Sequence, residues 1–216
     1  MIFQTDDGLV MVDPGVCNRS ERCFEAVREQ LDAPLHTAIY THGHVDHVFG
    51  VDHYAEEARE RGWRPPRVVA HEDMPARFDR YRRTGGYNAV INSRQFRGDG
   101  TITLCATKYW SPDVTYTDRL DVTVGGQRHA RGETDDATWV FAADRHVLCA
   151  IDLFVWVAPN AGNPQKVQRY AGEWAEALRA MATEAPELLD RPYLQPVYDQ
   201  PEFIVRNIWR FRGGPG

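Results

Sequence analysis

The sequence predicts a layered α/β domain, and three observations carry that prediction. Short apolar runs of strand length alternate with amphipathic helical segments through the first half of the chain. A β-rich stretch and then a long helix follow in the second half. The 216 residues are 43% hydrophobic and 26% charged, which suits one large soluble core better than two.

The elements follow in order. Gly8-Leu9-Val10-Met11-Val12 is an apolar run ended by Asp13-Pro14-Gly15, and reads as a buried strand and a turn. Ser20 is the expected N-cap of a helix whose apolar face carries Phe24, Val27 and Leu31, with Pro34 ending it. Ala38-Ile39-Tyr40 is the next buried strand. A helix is expected over Val51 to Arg61, stopped by Gly62, then a short strand at Val68-Val69-Ala70 and a helix from Glu72 to Arg83. Residues 84–112, rich in Gly, Asn and aromatics, are expected to form a long loop of the kind that is often functional. Strands are predicted at Leu120–Val124, Thr138–Ala142 and Val147–Ile151, with Gly125-Gly126 as a turn. A long helix from Pro164 buries Tyr170, Trp174, Leu178 and Met181. The end carries an apolar, helix-like run from Phe203 to Phe211.

Bulk properties exclude several function classes. The net charge of −6 lacks the basic footprint of a nucleic-acid binder. No apolar run is long enough for a transmembrane helix, and the first residues lack a signal-peptide pattern. Cys17, Cys23, Cys105 and Cys149 are scattered without a C-x-x-C pair. They are expected to be reduced thiols in a cytoplasmic protein, with Cys149 in core packing.

His42, His44, Asp46 and His47 fall within six residues, directly after a predicted strand. Such a cluster on a rigid element is the pattern of a metal site. In extended chain His42 and His44 project to one side and grip one ion, while Asp46 and His47, after the chain turns, serve a second. Imidazole with carboxylate suits Zn²⁺, and also Mn²⁺ or Fe.

Thr41-His42-Gly43-His44-Val45-Asp46-His47 resembles the signature of the metallo-β-lactamase superfamily, whose fold is an αββα four-layer sandwich. By that resemblance Asp13 braces the site without binding the metal. Ala130-Arg131-Gly132-Glu133-Thr134-Asp135-Asp136 stands where many members carry a metal-binding His. A Glu there resembles the alkylsulfatase branch, making Glu133 a ligand. Asp152 resembles the acidic residue that bridges two metals. Gly85 to Arg94 resembles that branch's loop near the substrate, and the segments at 159–170 and 204–210 resemble it as well. The implied division is a hydrolase domain at 1–186 and a tail at 187–216 resembling part of a dimerisation segment, which is compatible with a homodimer but does not fix the oligomeric state.

The sequence also departs from that pattern. No Pro-Gly-His-Gly-like turn follows the long helix, so the site with Asp46, His47 and Asp152 lacks its usual partner. The sandwich is read as incomplete at the N-terminus and after the long helix, with strands before Gly8 shortened and the strand between Gly126 and His129 cut down. A natural minimal form, a truncated chain and skipped segments all account for this. His36, His53, His71, His129 and His146 lack ligand-like spacing and are expected to be structural.

The implied function is metal-dependent hydrolysis by a metal-activated water, one or two Zn²⁺ ions lowering the pKa of that water. Asp46 and Asp152 orient it. The substrate is a small molecule, a sulfate or other ester, with Arg94, Lys166 and Arg169 as candidate anion contacts by position. The alternatives are a lactone or thioester hydrolase on the same fold, and a non-catalytic, metal-stabilised scaffold.

Overall fold

The computed structural model describes residues 1–95, 108–124, 127–130, 136–153, 171–190 and 208–209. It holds two sheets and four helices arranged as α/β/β/α layers. The first sheet contains β1 (Ile2–Thr5), β2 (Gly8–Val12), β3 (Leu35–Ile39), β4 (Arg67–His71) and β5 (Val114–Tyr116). Helices α1 (Ser20–Arg28), α2 (Val51–Arg61) and α3 (Met74–Gln95) connect or follow these strands. The second sheet is β6 (Gln127–Ala130), β7 (Trp139–Ala142), β8 (Val147–Cys149) and β9 (Leu188–Asp190), with α4 (Ala171–Thr183) outside it; β10 (Ile208–Trp209) joins the first sheet.

The strand order is β10-β1-β2-β3-β4-β5 in one sheet and β6-β7-β8-β9 in the other. From β2 to β5 neighbouring strands run parallel, so their chain ends gather at one edge. Residues of the tail segment supply edge strands to both sheets. β9 pairs with β8, and β10 pairs with β1.

Side-chain alternation fixes the layers. On β2, Leu9 and Met11 face the helices, packing with Val27 of α1, Tyr54 of α2 and Phe78 of α3. Val10 and Val12 face the other way, against Val140, Ala142 and Val147 of the second sheet. On β7 the period repeats: Val140 and Ala142 point into the sandwich, while Trp139 and Phe141 meet Trp174, Ala177 and Met181 of α4. Strands apolar on both faces are what a sheet covered on both sides requires.

The structure corrects several expectations. Residues 84–95 are not loop but the second half of α3. Gly85-Gly86 cost about 1 kcal/mol each in a helix, yet local contacts carry the turn. Arg82 pairs with Asp79, the Thr84 hydroxyl donates to the Arg80 carbonyl, and Asn88 Nδ2 donates to Thr84. Residues 120–124 hold only an isolated bridge at Val122, whereas the β-branched run at Val114–Tyr116 forms β5. Ser20 lies inside α1, not at its cap, and contacts His53 Nε2 at 3.1 Å. Leu178 is 38% exposed, because the buried stripe of α4 runs through Trp174, Ala177 and Met181. Ile208 and Trp209 are strand, not helix; a short apolar run has no period that separates the two. The stretches read as shortened do hold strands, each of four residues: β1 before Gly8 and β6 over Gln127–Ala130.

One thiol expectation also fails. Cys17 is disulfide-bonded, Cys23 and Cys149 are not, and Cys105 lies outside the described residues. Sequence spacing carries no information on which distant cysteines meet in space. The reduced-thiol argument for the cytoplasm falls with it. No helix among the described residues is long and apolar enough to cross a membrane.

Candidate metal centre

The strand ends place the site. β2 ends at Val12, and the chain turns through Asp13, which holds a left-handed φ of 55°. Asp tolerates this region better than most residues. The turn lets both carboxylate oxygens reach the end of β3: Oδ1 accepts from the Thr41 backbone N–H at 2.8 Å, and Oδ2 from the Thr41 hydroxyl at 2.7 Å. The same Oδ2 lies 2.7 Å from Nδ1 of His47.

These bonds assign the imidazole protons. A carboxylate only accepts, so His47 Nδ1 carries its proton and Nε2 faces away from Asp13. The Thr41 proton is committed to Asp13, so Thr41 Oγ1 accepts from His42 Nδ1 at 3.0 Å. His42 Nε2 is thereby left with a lone pair, and it lies 2.6 Å from His44 Nδ1. Asp13 thus orients His47 directly and His42 through Thr41. The triad Asp13, His42 and His47 is geometrically able to hold an ion; within it Asp13 Oδ2 is hydrogen-bonded to His47 Nδ1, while His47 Nε2 faces Asp46 and Asp152.

The second triad, His42, His44 and Asp152, lies on the open side. Asp152 sits in the 3-10 turn Ile151–Leu153 after β8. Its Oδ2 is 3.4 Å from His42 Nε2 and 4.0 Å from His44 Nδ1, and its Oδ1 is 3.7 Å from His47 Nε2. Asp46 Oδ2 is 3.5 Å from the same His47 nitrogen. Donor atoms around one Zn²⁺ with bonds of about 2.0–2.2 Å stand at such separations. Asp152 thus lies between His42 and His44 on one side and His47 on the other.

The charges are consistent with cation binding. Burial, aided by the facing His42, pushes His44 down to about 3, so it is neutral. Burial opposes charge on His47, but Asp46, Asp13 and Asp152 outweigh it and hold its pKa well above that of free imidazole. Burial likewise opposes ionisation of Asp46 and Asp152, yet His47, and for Asp152 also His42, keep both well below the usual carboxylate range. Ionised carboxylate and neutral imidazole are the forms that bind metal: Asp46, Asp152 and His44 are already in them, and metal binding at His47 displaces its Nε2 proton.

Comparison with known proteins decides the family. A family model described as the metallo-beta-lactamase superfamily matches residues 1–189. The chain belongs to that superfamily. It is 25% identical over 175 residues to the linear primary-alkylsulfatase of Pseudomonas sp. (strain ATCC 19151), covering 70% of this chain and 32% of the relative. The chain therefore spans about a third of that relative's length. The stereoselective inverting sec-alkylsulfatase Pisa1 from Pseudomonas sp. superposes with a TM-score of 0.62 at 18% identity, over 88% of this chain and 34% of that one. The metallo-beta-lactamase FIM-1 from Pseudomonas aeruginosa, in its mono-zinc form, superposes with a TM-score of 0.56 at 17% identity, over 88% and 73%.

The other predicted site residues divide. Glu133, Lys166 and Arg169 lie outside the described residues. Arg94 stands exposed in the last turn of α3. His36, His53 and His71 make local contacts to Thr37, Ser20 and the Thr117 carbonyl. Sequence reasoning missed two residues of α3 at the site. The Tyr81 ring lies 6.5 Å from that of His44. Arg77, one turn earlier, is buried against Asp136. Nothing in the local pattern marks an Arg within a helix as a site neighbour. Asp136 was visible as the last residue of the Glu133 motif.

Proposed function

We propose that this chain hydrolyses small esters in a metal-dependent reaction, with alkyl sulfates as the substrate class and Zn²⁺ as the ion. The observation that carries the reading is the position of Asp152, within 3.4–4.0 Å of ring nitrogens on His42, His44 and His47. His42 and His44 would hold one ion with Asp152; Asp46, His47 and Asp152 would hold a second. A bound divalent ion would supply a water acidic enough to attack near neutral pH, and positive charge facing the leaving group.

The chain's own residues do the rest. Asp13 fixes the His47 ring and, through Thr41, the tautomer of His42. Asp46, whose side chain is 39% exposed, presents a carboxylate at the open side of the site, where it orients the attacking water. α3 borders the histidines through the Tyr81 ring, 6.5 Å from that of His44. The likeness to two alkylsulfatases supports the sulfate ester within that class.

A substrate panel tests this reading. Zn²⁺-loaded protein should release sulfate from alkyl sulfates faster than it opens lactones or cleaves thioesters. Turnover of lactones without turnover of alkyl sulfates would move the proposal to the neutral-ester alternative.

A further inference from the structure

A second buried unit stands beside the histidines. Arg77 Nη2 donates to Asp136 Oδ1 at 2.8 Å, with side chains 5% and 1% exposed. The other oxygen of Asp136, Oδ2, accepts from the backbone N–H of Gly43 at 2.7 Å. Gly43 is the residue between His42 and His44. Two residues beyond Asp136, the Thr138 N–H donates to the Thr41 carbonyl at 2.6 Å. Residues 136–138 are therefore stitched to the backbone on both sides of His42.

Arg77 closes the unit from the helix side. A Cβ at Gly43 would collide with the Arg77 Cγ and approach Asp136 Oδ2 to 3.0 Å. Glycine is needed here for space. The Arg77 stem occupies the volume a side chain would take, and its guanidinium holds the Asp136 carboxylate toward the Gly43 amide.

A buried ion pair is weak evidence for stability, since desolvation offsets most of its attraction and an apolar pair often does as well. An apolar pair, however, offers no acceptor to the Gly43 N–H. We propose that Arg77 and Asp136 are positioning residues: they clamp the His42-Gly43-His44 backbone and thereby set the metal affinity of the two histidines. The proposal rests on the metal-centre reading above. It also gives the Glu133 motif a second role, because Asp136 anchors the chain three residues after Glu133.

The test compares wild type with Asp136→Asn, Arg77→Met and the double variant Arg77→Met/Asp136→Leu. The double variant removes both charges of the pair together, so its thermal midpoint should fall less than that of either single variant, by about the cost of the unpaired Gly43 N–H. Each protein is titrated with Zn²⁺ and, separately, Co²⁺, whose visible absorption reports ligand geometry. The clamp predicts a 10–100-fold loss of Zn²⁺ affinity and a shifted Co²⁺ spectrum in the folded double variant, with Arg77→Lys retaining more affinity than Arg77→Met. Wild-type affinity together with a wild-type spectrum in the double variant overturns it. If the double variant does not fold, Asp136→Asn is judged by the same two criteria. The imidazole ¹⁵N signals of the metal-free proteins supply an independent reading. They should move for His42 and His44 in the variants, and unchanged signals overturn the clamp even if wild type binds no metal. Absence of metal uptake by wild type itself counts against the metal-centre reading instead.

Discussion

Asp13 and His47, 34 residues apart, are joined by a 2.7 Å hydrogen bond from His47 Nδ1 to Asp13 Oδ2. That bond turns Nε2 of His47 toward Asp46 and Asp152. Replacing Asp13 by Ala removes the partner of His47 and of Thr41 together. Metal affinity should fall 10–100-fold, the usual effect of losing a residue that orients a ligand. Stability should fall by about 1–3 kcal/mol, because buried donors are left unpaired. Isothermal titration and urea unfolding measure the two. Unchanged affinity would show that the His47 ring does not depend on Asp13.

His42→Ala and His44→Ala should each abolish tight Zn²⁺ uptake at their site, and Asp152→Ala should weaken uptake at both sites. Metal analysis after dialysis reads this directly. Loss of one equivalent on removing Asp152, with the other retained at full affinity, would show that Asp152 serves one ion only.

Trp174 links packing to the site. It is 7% exposed, and its Nε1–H donates to the Leu153 carbonyl at 2.7 Å, one residue after Asp152. Trp174→Phe keeps most of the apolar volume and loses the bond, which should cost about 1 kcal/mol. Trp174→Ala should cost about 3–5 kcal/mol through the cavity it leaves against Trp139 and Phe141. Chemical denaturation measures both, and equal costs for the two variants would contradict the packing described.

Gly86 lies within α3 with open space around an added Cβ. Gly86→Ala should therefore stabilise the protein by about 0.4–1 kcal/mol, by restricting the unfolded chain. A destabilisation would mean that residues 84–95 are not helical in solution.

Much of this was legible before the structure. α2 was bounded correctly at Val51 and Arg61, because Gly62 and the prolines beyond it stop a regular helical pattern. The strand Gly8–Val12 was likewise evident, since an apolar run ended by Asp-Pro-Gly has few other readings. The histidine cluster was legible because all of its members are local in sequence. What stayed hidden was long-range or weakly patterned. The second half of α3 holds a Gly-Gly pair that propensity reads as a break, and contacts among its own side chains override it. The roles of Arg77 and Asp136 depend on a contact spanning 59 residues. The disulfide at Cys17 was invisible for the same reason.

The most direct measurement is ester hydrolysis by the chelator-stripped protein before and after adding back Zn²⁺. The proposed function predicts that stripped protein is inactive on alkyl sulfates, that activity returns as one to two equivalents bind, and that His42→Ala does not recover. Full metal occupancy without turnover of any ester, or undiminished turnover after complete removal of metal, would contradict it.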